Sequence, residues 1–360
     1  MVNTPIQKII FGSPGTGKSY RIDNKIIPED LGIDKKSHPE NVIKTVFHPE
    51  YTYGDFMGKL VPITRAGKVE YNYYEGHFLK ALSQAYRKML DAYDKEGNKI
   101  SEVQNIALVI DEINRGNSSA IFGTIFQLLD RDEDGWSSYG INITEIEFIK
   151  ILQLIKTRFS YDEEGKIIEY KLSPYVSEGV KNLATVQKKI EFLKFDLVER
   201  IIRIPPNLSI LATMNTSDNS IYFMDSAFKR RWDWEFVNWD DSNPPSGEYG
   251  KAKNGTLDEK EWLEFINKIN IFIKSYHASI RGIEDKQIGK YFIKKRPITA
   301  EQIQNKLMFF LWDSVFTRDK KPLLELLGKE RDELVTFGDF TKLHNTFVEK
   351  IMNFNKSKFN

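Results

Sequence analysis

The chain of 360 residues has no cysteine, almost no net charge and no long hydrophobic run. Without cysteine, disulfides and thiolate metal sites are excluded, and we expect a reducing, cytoplasmic compartment. The net charge of +1 means that any contact with DNA must come from a local patch. No apolar run approaches the roughly 20 residues that span a bilayer, and the amino terminus lacks a signal-peptide pattern. We therefore expect no membrane partner.

A phosphate-binding loop pattern lies near the amino terminus. The stretch Gly12-Ser13-Pro14-Gly15-Thr16-Gly17-Lys18-Ser19 fits G-x-x-x-x-G-K-[ST]. The apolar run before it predicts a strand, and residues 19–22 are expected to open a helix. Backbone N–H groups of the whole loop are predicted to cradle phosphates, Lys18 to reach the β- and γ-phosphates, and Ser19 to hold Mg²⁺. Because the loop begins at residue 12, we expect no recognition domain ahead of it in this chain.

Two carboxylates follow a wholly apolar run. Residues 106–110 are all apolar, which predicts a strand buried on both faces, and Asp111 and Glu112 come directly after it. Asp and Glu often cap strands, but here they lie downstream of a phosphate loop. We therefore predict that Asp111 binds Mg²⁺ through water and that Glu112 polarises the attacking water.

The strand predicted over residues 208–213 is followed by Asn215, whose amide suits the sensor 1 role beside the γ-phosphate and the attacking water. Arg230 and Arg231 close a helix predicted over 221–232. These cations either complement the helix carboxyl end or complete a neighbouring subunit's site as an arginine finger. Arg115 likewise either faces a neighbour's nucleotide or is a surface arginine.

His48 follows the second predicted strand, at the edge of the sheet where ligands bind. It is either a site residue or a polar loop residue packed on Tyr51.

The predicted organisation is a large α/β nucleotide-binding domain over 1–238, with an insertion at about 131–203, a linker over 239–256 and a small helical domain over 257–360. A hairpin is expected over 68–74 and another turn over 161–166. The helix over 120–130 is expected to be capped by Ser118 or Ser119. The other predicted helices cover 78–90, 148–158, 183–198, 257–277, 299–316, 322–327 and 340–354.

These features together describe an AAA+ P-loop NTPase, with a parallel central sheet flanked by helices and a carboxyl-terminal helical lid. In detail the chain resembles the McrB family of restriction GTPases. The stretches that carry the resemblance are residues 47–56, 110–117, 214–218, 225–232 and 288–292.

The resemblance implies a Mg²⁺-dependent motor that forms a homo-hexamer, prefers GTP to ATP and drives an McrC-like endonuclease subunit. It would act on modified or foreign DNA through a separate recognition domain or subunit. It further implies that Asp218 contacts the nucleotide, that Glu112 and Asn215 orient water, and that Arg230 or Arg231 acts across the subunit interface. Two positions depart from the family pattern: Asn219 stands where Arg is common, and Lys290 where His is common.

Two rival functions remain open from the sequence. One is an ATP-dependent AAA+ remodeller of proteins that resembles the MoxR branch and has no DNA role. The other is a nucleotide-switched scaffold. The Met-Asn-Thr stretch at 214–216 favours the McrB reading over the first rival, and intact Glu112 and Asn215 argue against the second.

Overall fold

The computed structural model describes residues 4–65, 67–215, 222, 224–239, 259–280, 282–293 and 298–355. Its strands are, in chain order, β1 (Gln7–Phe11), β2 (Val42–Val46), β3 (Gly58–Arg65), β4 (Lys68–Glu75), β5 (Ile106–Asp111), β6 (Ile141–Asn142), β7 (Arg158–Tyr161), β8 (Ile167–Leu172), β9 (Val176–Val180), β10 (Ile201–Ile202), β11 (Leu208–Met214) and β12 (Asp233–Phe236).

The α-helices of the described residues are α1 (Lys18–Arg21), α2 (Tyr53–Phe56), α3 (His77–Asp91), α4 (Ser118–Phe122), α5 (Glu145–Leu154), α6 (Leu183–Lys189), α7 (Ser226–Lys229), α8 (Glu259–Ser275), α9 (Ile283–Lys286), α10 (Ala300–Gln302), α11 (Lys321–Leu327), α12 (Phe337–Lys342) and α13 (His344–Met352). Short 3₁₀ segments cover Pro39–Asn41, Ile113–Arg115, Gly123–Leu129 and Glu191–Leu193, and π-helical segments cover Ile22–Asp30, Ile303–Met308 and Leu311–Val315. None of these helices is both long and apolar enough to cross a bilayer.

The central sheet has the order β12-β1-β11-β5-β2. Strand β5 pairs in parallel with β11 on one side and with β2 on the other. Every residue of β11 is buried, as are the first five of β5, because helices cover both faces of a parallel sheet. The expected α/β fold, with a parallel central sheet and a helical carboxyl-terminal part, is confirmed.

Helix α3 covers part of this sheet. Its apolar residues recur at helical spacing, so one continuous stripe is buried against β2, β5 and β11. Tyr86 lies in that stripe, stacks on Phe195 at 5.3 Å and donates its hydroxyl hydrogen to the carbonyl of Arg203. The predicted helix over 78–90 has the expected position, whereas the hairpin predicted over 68–74 runs from Gly58 to Glu75, because residues 68–74 belong only to its second strand, β4.

Two compact units divide the chain. One contains Met1–Ile10, Ser19–Met214 and Ser220–Glu235, and the other contains Phe11–Lys18, Asn215–Asn219 and Phe236–Asn360. We call them the sheet unit and the helical unit. The predicted domain limits at 238 and 257 stay a prediction, and the predicted linker lies outside the described residues beyond Trp239.

The helical unit has its own hydrophobic core. Trp262, Phe265 and Phe272 of α8 lie in one buried cluster with Phe340 and Phe347 of the last two helices, and the Phe265 ring contacts the Phe347 ring at 6.1 Å. No strand occurs among the described residues from 259 to 355, so the predicted helical character of this half holds.

Several predicted helices are shorter than expected. The helix predicted over 120–130 ends at Phe122, because Gly123 has φ 49°, and it continues as a 3₁₀ segment. Its amino-terminal cap is Asn117, whose Oδ1 accepts from the N–H of Ala120 at 3.2 Å, and not Ser118 or Ser119.

Three further helix predictions were wrong in their limits. The helix predicted over 183–198 stops at Lys189, because Ile190 leaves helical backbone with φ −124° and ψ 27°; left-handed Lys194 then ends the 3₁₀ segment Glu191–Leu193. The helix predicted over 221–232 begins at Ser226, because Asp225 caps it by accepting from the N–H of Phe228 at 2.7 Å. The helix predicted over 148–158 runs from Glu145 to Leu154 instead, and Arg158 begins β7.

Candidate nucleotide-hydrolysis site

The phosphate loop joins β1 to α1, as the sequence predicts. Gly15 and Gly17 have φ angles of 77° and 91°, which residues with a side chain adopt only under strain. The side chain of Lys18 is buried and folds back over the loop, where Nζ donates to the carbonyls of Gly12 at 2.8 Å and Ser13 at 3.0 Å. Two backbone carbonyls thus hold the ammonium group at the loop.

A segment of the helical unit, residues 288–292, lies against the loop. Gly289 donates its N–H to the carbonyl of Pro14 at 3.0 Å, and Tyr291 donates to that of Gly15 at 2.8 Å. A Cβ on Gly289 would lie 2.5 Å from the Gly15 oxygen and 2.6 Å from the Thr16 nitrogen. Only glycine therefore permits this approach of two backbones, and we call residues 288–292 the loop clamp.

Two side chains of helix α8 hold the loop clamp in place through hydrogen bonds. The fully buried amide of Asn270 donates Nδ2 to the carbonyl of Ile288 and accepts from its N–H, both at 2.8 Å. Trp262 donates its indole N–H to the carbonyl of Lys290 at 2.9 Å. Lys290, one of the two departures from the family pattern, is itself buried. These hydrogen bonds join the core of the helical unit to the phosphate loop.

Asp111 ends β5 and receives two hydroxyl groups on one oxygen. Ser19 donates to its Oδ1 at 3.3 Å, and Thr213 of β11 donates to the same atom at 2.9 Å. A serine that donates its single hydrogen to the carboxylate keeps its lone pairs for a cation. Hydroxyl and carboxylate oxygens are the ligands that Mg²⁺ prefers, so Ser19 and Asp111 fit the predicted ion.

Glu112 adopts the left-handed backbone conformation, with φ 56° and ψ 47°. Its N–H donates to Thr213 Oγ1 at 3.3 Å, and its carboxylate lies 3.6 Å from the Arg115 guanidinium. Left-handed backbone at a residue other than glycine costs of order 1–3 kcal/mol and occurs often at functional sites. Arg115, for which a neighbour's nucleotide was one expected target, thus lies beside a carboxylate of its own chain.

The remaining predicted residues are placed as follows. Asn215 directly follows β11 and is half-buried, whereas Asp218 and Asn219 lie outside the described residues. His48 is exposed and its ring packs edge-on against Tyr51 at 5.6 Å, which agrees with the polar loop interpretation.

The two candidate arginine fingers have different surroundings. The side chain of Arg231 is only 8% exposed. It donates to Asp130 Oδ2 at 2.7 Å and to the carbonyl of Ala227 at 2.8 Å, and it lies over the Phe126 ring. Arg230 is exposed, and no acidic partner occurs for it among the residues described. Arg231 is therefore engaged within its own chain, and Arg230 is the better candidate for a contact in trans.

Thr213 and Asn270 were missed by the sequence reasoning. Thr213 was treated as the end of an apolar strand, although a hydroxyl two residues before a predicted sensor was a signal. Asn270 stands among apolar residues on the buried side of α8, and a polar residue in such a stripe marks a specific hydrogen bond.

The phosphate-loop pattern after β1, together with Asp111 and Glu112 at the carboxyl end of β5 in a parallel sheet, defines a P-loop NTPase of the AAA+ class. The BsuMI component YdiS of Bacillus subtilis strain 168, described as part of a type II restriction enzyme, is 29% identical over 341 residues, which cover 90% of this chain and 82% of that protein. The EcoKMcrB subunit of the type IV methyl-directed restriction enzyme of Escherichia coli K12 is 22% identical over 261 residues, which cover 72% of this chain and 40% of that protein. The resemblance to restriction components that was inferred from the sequence is confirmed, since the chain is similar to both of these proteins.

No family model matches the chain. Among solved structures, a candidate ATPase from Cytophaga hutchinsonii is 13% identical, with a TM-score of 0.27, and the match covers 80% of this chain and 52% of that one. The fold assignment stands on the order and direction of the strands and not on this overlap.

Proposed function

We propose that the chain is the Mg²⁺-dependent nucleoside-triphosphate hydrolase of a restriction system, with GTP preferred to ATP. The observation that carries the proposal is the contact of Ser19 with Asp111 at the end of β5. It joins the last residue of the phosphate loop to the first carboxylate of the Asp-Glu pair. The relation to two restriction components supports the biological setting.

Each residue has a defined task in the proposed reaction. Lys18 exchanges its two carbonyl partners for the terminal phosphates, and Ser19 and Asp111 hold the ion. Mg²⁺ held by these residues would supply positive charge that stabilises the transferred phosphoryl group. Glu112 accepts a proton from the attacking water, and Asn215 orients that water. Asp218 is proposed to contact the nucleotide.

Assembly and partners are proposed from the same relation. The chain would form a homo-hexamer in which Arg230 of one protomer completes the site of the next. An McrC-like endonuclease subunit would use the energy of hydrolysis to act on modified or foreign DNA. DNA would be read by a separate recognition domain or subunit, since a net charge of +1 provides no general attraction to polyanions.

Turnover of GTP and of ATP by the purified chain, with and without a candidate endonuclease subunit, tests this function. We expect hydrolysis that favours GTP and rises with the subunit. Faster turnover of ATP without response to the subunit would instead support a MoxR-like remodeller.

The site itself is tested by Glu112→Gln. The amide cannot accept a proton but keeps the shape of the carboxylate, so we expect nucleotide binding to persist and turnover to fall by about 10²–10⁴-fold. Lys18→Ala should instead abolish tight nucleotide binding. Wild-type turnover in the Glu112→Gln protein would contradict the assignment of the general base.

A further inference from the structure

The hydroxyl of Thr213 joins the two carboxylate residues of the site. It donates to Asp111 Oδ1 at 2.9 Å and accepts from the N–H of Glu112 at 3.3 Å. A hydroxyl group has one hydrogen and two lone pairs, so both bonds form at once. Thr213 is 4% exposed, and water therefore has little access to replace either bond.

The register of the sheet brings these residues together. Ala212 of β11 lies opposite Ile110 of β5, so the next residue along each strand, Thr213 and Asp111, follows in step. The register continues from Leu208 opposite Ile106, and all five residues of β5 in this run are buried. Two paired strands therefore fix the position of the Thr213 hydroxyl more precisely than a loop would.

We propose that Thr213 is a positioning residue for hydrolysis, which orients the Asp111 carboxylate toward the ion and holds Glu112 in its left-handed conformation. The inference rests on the proposed function. With Oδ1 occupied by two hydroxyl hydrogens, the second oxygen of Asp111 stays available for the ion or its water shell. The hydrogen bond to the N–H of Glu112 offsets part of the backbone strain at that residue. It also fixes the position of the Glu112 backbone, from which the carboxylate side chain extends.

The competing explanation is that Thr213 only satisfies its own buried hydroxyl. Under that explanation, Thr213→Val would change stability alone, as it would for any buried threonine that loses a hydrogen bond. Thr45 on β2 provides a matched control because it is also a buried strand threonine, and its hydroxyl bonds Tyr51 at 3.2 Å instead of the site.

The experiment measures the affinity of a fluorescent GTP or ATP analogue with Mg²⁺ and with EDTA, for the wild-type protein and for Thr213→Val, Thr213→Ser and Thr45→Val. Loss of a group that orients a metal ligand typically costs roughly 10–100-fold in metal affinity or activity. We expect Thr213→Val to lose that much of the Mg²⁺-dependent affinity while its affinity in EDTA stays at the wild-type value. Thr213→Ser should restore the Mg²⁺ dependence, and Thr45→Val should keep it.

Turnover at saturating nucleotide and Mg²⁺ tests the second part of the proposal, which is that Thr213 restrains Glu112. This restraint should act on kcat and not on nucleotide binding. We expect kcat to fall in Thr213→Val and to recover in Thr213→Ser. Should the valine variant fail to fold, Thr213→Ala provides the same comparison. Wild-type Mg²⁺ dependence and kcat in a folded variant without the hydroxyl would overturn this inference alone. A wild-type protein that neither binds nor hydrolyses either nucleotide would overturn the proposed function as well.

Discussion

Single side chains at strand ends decide the chemistry that this sheet can support. Asp111 ends β5, Glu112 follows it, and Thr213 is the last residue but one of β11, so each polar group lies beside mostly apolar strand residues and has few competing partners. Their hydrogen bonds are consequently specific to one another. The phosphate loop also has specific hydrogen bonds, because two carbonyls of the loop accept from the buried ammonium group of Lys18.

Some of these residues could be predicted from the sequence and others could not. The loop, Asp111 and Glu112 belong to patterns whose spacing is set by a phosphate chain and an ion. The role of Thr213 depends on the register of two strands that are about 100 residues apart, which no local pattern encodes. The pairing of Arg231 with Asp130 is equally non-local, so the two candidate arginines could not be distinguished beforehand.

His344 leads to a prediction about pH. It is buried in the helical unit, and burial lowers the pKa of its imidazole below the ordinary value of 6.5. Above that pH the side chain is neutral in both states. Below it the unfolded chain takes up a proton that the folded chain resists, so the free energy of unfolding should fall until the lower folded pKa is reached.

Urea unfolding at a series of pH values tests this expectation. His344→Gln should reduce the loss of stability on acidification, whereas His277→Gln, at an exposed histidine, should leave the loss as in the wild type. An equal loss in the His344→Gln and wild-type proteins would contradict the prediction.

For helices and strands, the type of each element was predicted better than the residues at which it begins and ends. Helix α3 and the buried strands agree with the sequence patterns. Apolar residues at helical spacing indicate a helix buried on one face, and continuous apolar runs indicate a strand buried on both faces. Helix ends depend on single residues such as Asn117 and Asp225, whose side chains compete with equally suitable neighbours. The contact of the loop clamp with the phosphate loop joins distant segments, and only the three-dimensional structure reveals it.

The loop clamp predicts the effect of Gly289→Ala. The added Cβ would meet backbone atoms of Gly15 and Thr16 at 2.5–2.6 Å, so the two backbones must separate and the hydrogen bond to Pro14 must break. With about 1 kcal/mol lost for this hydrogen bond, we expect nucleotide affinity to weaken by about five-fold.

Titration of a fluorescent nucleotide measures this effect. Gly338→Ala in α12 is the matched control, since its Cβ would meet only the Thr336 hydroxyl at 3.5 Å. Gly289→Ala with unchanged affinity would show that the loop keeps its shape without the loop clamp.

Arg131 joins the start of the insertion predicted at about 131–203 to the segment that follows it. Arg131 donates to the carbonyls of Gly135, Ile204, Pro205 and Leu208 at 2.9–3.2 Å. Arg131→Ala would leave these carbonyls without that donor, so we expect a loss of about 2 kcal/mol or more in the free energy of unfolding.

Urea unfolding checks the expected loss, with Arg65→Ala as the control. Arg65 has a side chain that is 68% exposed and lies 3.9 Å from Glu70, so its removal should cost at most about 1 kcal/mol. Equal stability of the two variants would show that water replaces the Arg131 hydrogen bonds without penalty.

For the whole molecule, the question is whether one protomer contains a complete site. The fold and the similarity to restriction components could be predicted because several motifs follow one another in a fixed order along the chain. Assembly could not be predicted as firmly from the sequence, because it depends on which arginines are exposed and which are bound to residues of their own chain. Arg230 is exposed, while Arg231 is buried against Asp130 and Phe126 in its own chain. These surroundings favour Arg230 over Arg231 for the proposed contact in trans.

Mixing two inactive variants tests this assignment. Arg230→Ala keeps its own phosphate loop, and Lys18→Ala keeps its arginine, so each protein alone should lose turnover. An arginine supplied in trans can be worth about 10³–10⁵ in rate. In a mixture, some interfaces pair an intact loop with an intact Arg230, and part of the turnover should return. Arg231→Ala is the control and should lower stability through loss of the Asp130 pair. Mixtures that co-assemble by size-exclusion chromatography yet stay inactive would show that Arg230 does not act across the interface.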